Sequence, residues 1–322
     1  MKKYIFLKQS PSIQLAHLYE HIVCIKLGMI LQDKKMYLYS DYSLSAKTYY
    51  GGMICIEYTQ FKNNYHVNFK RILSNLEINF KEDITNIAIS QIVIEKKSLL
   101  HSNGYDSVIL ELTKLHNKRW LDIDNFEFYN AKEIRRKTSP LYLAEGKVPK
   151  IKNLTICIKL DMKLNKDNQI LVPLFRQVAY LLLLNLETSV CDYYGTFGAG
   201  ITIKNNKQIN FSNNIKFVNN NFELDNNLIS FIKNQIILII EDGALERLSN
   251  NLASMSYKSN PEKTVDIQNN YEDTLFIIGS KGWKKVSTKK NIDLLIANSF
   301  LEIKLGKISK KIPILFKTFD KN

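Results

Sequence analysis

Between Pro11 and Gly28 the chain runs SIQLAHLYEHIVCIKL, an apolar stretch without a helix breaker that carries His17, Glu20 and His21 in the order H-x-x-E-H. Apolar residues at 15, 18, 22 and 25 recur at helical spacing, so a helix is expected to begin just after Pro11. On such a helix residues four apart stack one turn above each other, which brings both imidazoles to one point, and Glu20 projects beside them. Two imidazoles held this way can share one metal ion. A third oxygen ligand from elsewhere would leave the fourth coordination position for water. The plainer account is a pair of surface histidines. With only 5 His in 322 residues, two of them and a Glu on one face is not ordinary surface composition.

H-x-x-E-H is the inverted zinc-peptidase pattern, and Leu15-Ala16-His17-Leu18-Tyr19-Glu20-His21 resembles the signature of the pitrilysin/insulinase family of zinc endopeptidases. That family sets its motif on the first long helix after a short strand, and Lys3 to Lys8 reads as such a strand. A second segment, Leu44-Ser45-Ala46-Lys47-Thr48-Tyr49, is similar to the family's Asn-Ala-x-Thr strand, with Ser45 in place of Asn. The resemblance implies Zn2+ held by His17, His21 and a distant Glu, with Glu20 as the general base. It also implies a substrate strand at Ser45, Ala46, Lys47 and Thr48. The distant Glu of the family lies some seventy to eighty residues on, and Glu95 follows His21 by 74. Residues 83–99 have apolar positions at 84, 87, 88, 92, 94 and 99 and so read as a helix; Glu111, on the next helix, is the second choice of ligand. Relatives usually carry a further Glu two turns before the ligand. Here that position is Ala88.

At 322 residues the chain is long enough for two domains of ordinary size. The segment Ser139 to Lys150, with two Pro and a Gly, reads as the linker between residues 1–145, the zinc-binding part, and 150–322, a similar part without a site. After it the order of elements restarts. Residues 151–160 read as a strand and 169–187 as a helix; residues 193–204 and 207–218 read as paired strands, and helices follow at 225–241, 244–256 and 262–278, with Asp225 as an N-cap. The expected fold class is therefore α+β, as two tandem similar domains, each a mainly antiparallel sheet covered by helices. The glycines at 195, 198 and 200 do not lead into Lys-Ser/Thr or open a helix, which argues against a nucleotide loop.

The net charge of +14 invites a nucleic-acid reading. Residues 1–150 carry 22 − 15 = +7 and residues 151–322 carry 23 − 16 = +7, so neither part concentrates it, and no nucleic-acid signature accompanies it. Four widely spaced cysteines with no C-x-x-C suggest free thiols in a reducing compartment. The start MKKYIFLKQS has too short an apolar run for a signal peptide, and Arg176 and Gln177 interrupt the apolar stretch Leu171 to Leu186. A cytoplasmic protein with no nucleic acid or membrane partner is the expectation. The resemblance further implies a peptide substrate bound as an added strand, removal of leader peptides from ribosomally made precursors, and a second half-size subunit. A subunit that keeps the fold without the activity is the alternative.

Overall fold

The computed structural model describes residues 1–61, 67–81, 83–96, 101–102, 105–123, 143–144, 152–162, 170–194, 209–217, 223–254 and 280–314. They form helices and antiparallel sheets, an α+β arrangement. The first sheet has the order β2-β3-β1-β5, with β1 at Lys2–Gln9, β2 at Tyr42–Tyr49, β3 at Met53–Gln60 and β5 at Leu121–Ile123. Against one face lies α1 (Ile13–Asp33), joined by α2 (Phe69–Ser74), α3 (Asp83–Lys96) and α4 (Tyr105–His116). Two-residue strands β4 (His101–Ser102) and β6 (Leu143–Ala144) pair with each other, so part of the expected linker is a strand.

Helix α1 begins where Pro11 predicts. Ser12 is its N-cap, accepting from the Leu15 amide at 3.4 Å. Leu15, Leu18, Tyr19, Ile22 and Val23 are buried against Phe6, Ile54, Ile56 and Tyr58 of the sheet. What remains partly open is a stripe through Ile13, His17, Glu20, His21 and Cys24, three and four residues apart. The β2–β3 hairpin is pinned to the start of this helix. Gly52, at φ +79°, accepts at its carbonyl from the Ser10 amide at 2.9 Å, and a Cβ there would stand 2.8 Å from the Ser10 carbonyl oxygen. Only glycine fits that contact.

Lys8 ties β1 to the second turn of α1 and to the C-terminal end of α4. Its side chain is buried, and Nζ donates to Tyr19 Oη (3.2 Å) and to the carbonyls of Leu115 (3.2 Å) and His116 (2.9 Å). A cation at the carbonyl end of α4 is favourable to the helix dipole. Burial, with Lys118 nearby, nonetheless pushes the ammonium down to about 8 from 10.5. The folded chain thus holds this proton less tightly than the unfolded chain does. Between pH 8 and 10.5 the unfolded state binds more protons, so Lys8 contributes stability that is complete above 10.5 and is lost as pH falls through 8. Melting temperatures of wild type and Lys8→Met should diverge in favour of wild type as pH is raised across this window. A constant difference would contradict the assignment.

The second sheet has the order β10-β9-β7-β8, with β7 at Lys152–Leu160, β8 at Ile209–Phe217, β9 at Ser299–Leu305 and β10 at Ile308–Pro313. Helices α5 (Leu171–Tyr194), α6 (Asn226–Glu241), α7 (Ala244–Ser254), α8 (Ser280–Val286) and α9 (Lys289–Ala297) accompany it. A second core forms around Ile156, Phe175, Leu182, Ile236, Leu248 and Ile303. Asp225 caps α6, with the Leu228 amide 2.8 Å from Oδ1. One expectation changes here. Tyr193 and Tyr194 belong to the end of α5 and not to a strand. Strand β8 pairs with β7, and the rest of the expected strand, residues 195–204, lies outside the described residues. The helical apolar repeat of α5 runs on through Val190 and outweighs the strand propensity of the tyrosines. The expected helix at 262–278 lies outside the described residues, as do the glycines at 195, 198 and 200. No helix among the described residues is long and apolar enough to cross a membrane.

The two sheets with their helices meet along the second half of α1. Asn185 of α5 clasps the Leu38 backbone, with Oδ1 accepting from its amide at 2.8 Å and Nδ2 donating to its carbonyl at 3.0 Å. Gln32 donates to the Asn185 carbonyl at 2.7 Å. Asp41, fully buried just before β2, receives Arg247 of α7 in a two-pronged ion pair at 2.6 and 3.1 Å and the Tyr37 amide at 2.8 Å. Forked pairing of this kind compensates a buried carboxylate.

Candidate metal centre

Helical spacing brings the two imidazoles of the motif together. His17 Nε2 and His21 Nε2 stand 3.1 Å apart, with ring centroids at 4.8 Å. Two nitrogens on one tetrahedral zinc at ~2.0–2.1 Å lie about 3.4 Å from each other, so a shift of a few tenths of an ångström would accept the ion. The other side of the His21 ring is also engaged. Its Nδ1 lies 2.7 Å from Oε1 of Gln91, which is buried on α3. An amide oxygen only accepts, so a His21 ring protonated at Nδ1 would donate to Gln91 and turn the lone pair of Nε2 toward His17. The donor set fits a borderline-soft divalent ion such as zinc.

Glu20 sits on the same open stripe, and the Thr48 hydroxyl donates to its Oε2 in a short hydrogen bond. Thr48 reaches it because β2 packs along α1 and strand residues alternate in direction. Ala46 lies on the same side and packs into the core, whereas Ser45 and Lys47 point to the opposite face and are exposed. Strand β2 is the edge of its sheet, with β3 as its only neighbouring strand among the described residues. Cys24, one turn beyond Glu20, is a free thiol pushed up by burial and then by the Glu20 charge.

The third expected ligand is placed only in part. Glu95 lies on α3, which packs against α1, one turn beyond Gln91; its side chain lies outside the described residues. Among the described residues no group of three or more His, Cys, Asp and Glu side chains is arranged to hold a metal. Glu111 is a less suitable ligand, since it pairs at 2.7 Å with Lys114, three residues on along α4. Ala88 is fully buried in the first core. Gln91 is the residue that sequence reasoning passed over. A polar side chain one turn before Glu95, among Ile87, Ala88 and Ile92, was the available signal.

No family model, curated protein or solved structure matches the chain.

Proposed function

We propose that the protein is a zinc-dependent endopeptidase that cuts peptides or small proteins bound in extended form. The observation that carries this reading is the convergence of His17 and His21 Nε2 at 3.1 Å, beside a carboxylate anchored by the edge strand. His17, His21 and Glu95 would hold the ion. Zinc, when bound, acts as a Lewis acid on the scissile carbonyl and lowers the pKa of its water to about 7. Glu20 removes the proton of the attacking water and delivers it to the departing nitrogen. With Oε2 held by Thr48, the moving proton is carried at Oε1. The outer edge of β2, which has no second strand beside it among the described residues, offers main-chain donors and acceptors to a peptide added as a strand, through Ser45, Ala46, Lys47 and Thr48.

Further elements of this reading follow the resemblance to half-size pitrilysin/insulinase peptidases. They are two tandem similar domains at 1–145 and 150–322, a cytoplasmic setting, leader-peptide removal, and a second half-size chain, homologous or identical, that closes the cleft. The two four-stranded antiparallel sheets, each with its own helices, support the tandem arrangement. An inactive scaffold subunit of the same fold is the second reading, favoured by Ala88 where relatives carry a carboxylate. Metal content and removal decide between them. Purified protein should contain about one zinc per chain, lose cleavage of an extended-peptide library on chelation and regain it with zinc. Activity should rise when the second subunit is supplied. Cleavage that survives complete chelation, or a chain that takes up no zinc, would reject the peptidase.

A further inference from the structure

We propose that Gln91 is a positioning residue that selects the tautomer of His21, an inference that rests on the zinc-site reading above. A neutral imidazole has one bare nitrogen, and in water nothing fixes which one it is. Here Gln91 Oε1, 2.7 Å from Nδ1, can only accept, so the ring proton is held on the side of α3 and Nε2 is bare. That bare nitrogen is the atom 3.1 Å from His17 Nε2. In the metal-free protein the contact between the rings must then be closed by a proton on His17, and His21 is already in the form that binds a cation.

The location of Gln91 makes this selection firm. It is 7% exposed, so water competes little for Nδ1. It stands on α3 one turn before Glu95, and one helix therefore supplies both the partner that orients a ligand and the proposed third ligand itself. Ligating histidines commonly give their second N–H to a carboxylate, a carbonyl or water. Ala88 offers no carboxylate on this helix, and the amide oxygen of Gln91 fills the role of a carbonyl. A neutral acceptor orients the ring without adding negative charge beside the ion.

The test reads the ring before it reads the metal. Two-bond proton–nitrogen spectra of 15N-histidine-labelled, metal-free protein, taken at alkaline pH, should show His21 protonated at Nδ1. In Gln91→Leu the His21 signals should move toward the Nε2-protonated form, and zinc, measured by competition with a chromophoric chelator, should bind ~10–100-fold more weakly. Gln91→Glu, which keeps the acceptor, should keep the wild-type tautomer, and it carries the test if the Leu variant does not fold. Wild-type His21 protonated at Nε2, or a Gln91→Leu protein with wild-type tautomer and zinc affinity, would overturn the proposal. Failure of wild type to bind zinc would instead sink the peptidase reading and leave the tautomer result standing.

Discussion

Glu20→Gln should retain zinc and lose peptide cleavage by at least about two orders of magnitude. The amide matches the carboxylate in size and can still accept the Thr48 hydroxyl, so the side chain is expected to stay on the open stripe of α1. It cannot take up a proton at neutral pH, and proton transfer by a positioned side chain contributes typically ~10²–10⁴-fold. Zinc content and cleavage rate measured on the same preparation separate the two roles. A variant that still cleaves at a comparable rate would show that Glu20 is not the base. Loss of zinc together with activity would make Glu20 a ligand and require a different proton carrier.

The second large effect belongs to the imidazoles. His17→Ala and His21→Ala should each reduce bound zinc to background and abolish cleavage, because removing one of three ligands leaves too few donors to hold the ion against solvent. Both rings are only half-buried, and the packing of α1 rests on the opposite side of the helix, on Leu15, Leu18, Tyr19, Ile22 and Val23. Circular dichroism should therefore show folded protein in both variants. Glu95→Gln should weaken zinc binding in the same assay. Equal zinc in wild type and the two histidine variants would dismiss the centre, and loss of zinc in Glu111→Gln with none in Glu95→Gln would move the third ligand to α4.

Much of the frame was legible because it rests on local rules. Pro11 followed by Ser12 marks the start of α1, the spacing of His17, Glu20 and His21 puts them on one stripe, and the strand pattern of Lys3 to Lys8 falls within β1. Residues 280–313 were harder to read. Two short helices and a tight hairpin there, α8 to β10, carry too few turns to display a period, and their register depends on pairing with β7, more than a hundred residues earlier. The site divides along the same line. The two histidines and Glu20 belong to one helix, whereas Gln91 meets His21 across 70 residues and Thr48 meets Glu20 across 28. Contacts of that kind are set by helix and sheet packing, which no window of sequence displays.

The buried pair of Asp41 and Arg247 bears on how far this protein can be reduced. Asp41 stands immediately before the edge strand, fully out of water, and its cation comes from α7, some two hundred residues away. A chain cut after residue 145 would leave that carboxylate without its guanidinium. It would also strip Asn185 from the Leu38 backbone and uncover Gly28, whose Cα lies so near Thr188 that an added methyl would collide with it at 2.8 Å. In the intact chain, breaking this buried ion pair from one side costs about 3–5 kcal/mol, a large share of the ~5–15 kcal/mol that holds an ordinary domain together. The smallest autonomous unit that can carry the histidine pair is therefore both sheets together, and dissection, domain grafting or recombination would have to keep α5 and α7 with the strand they brace.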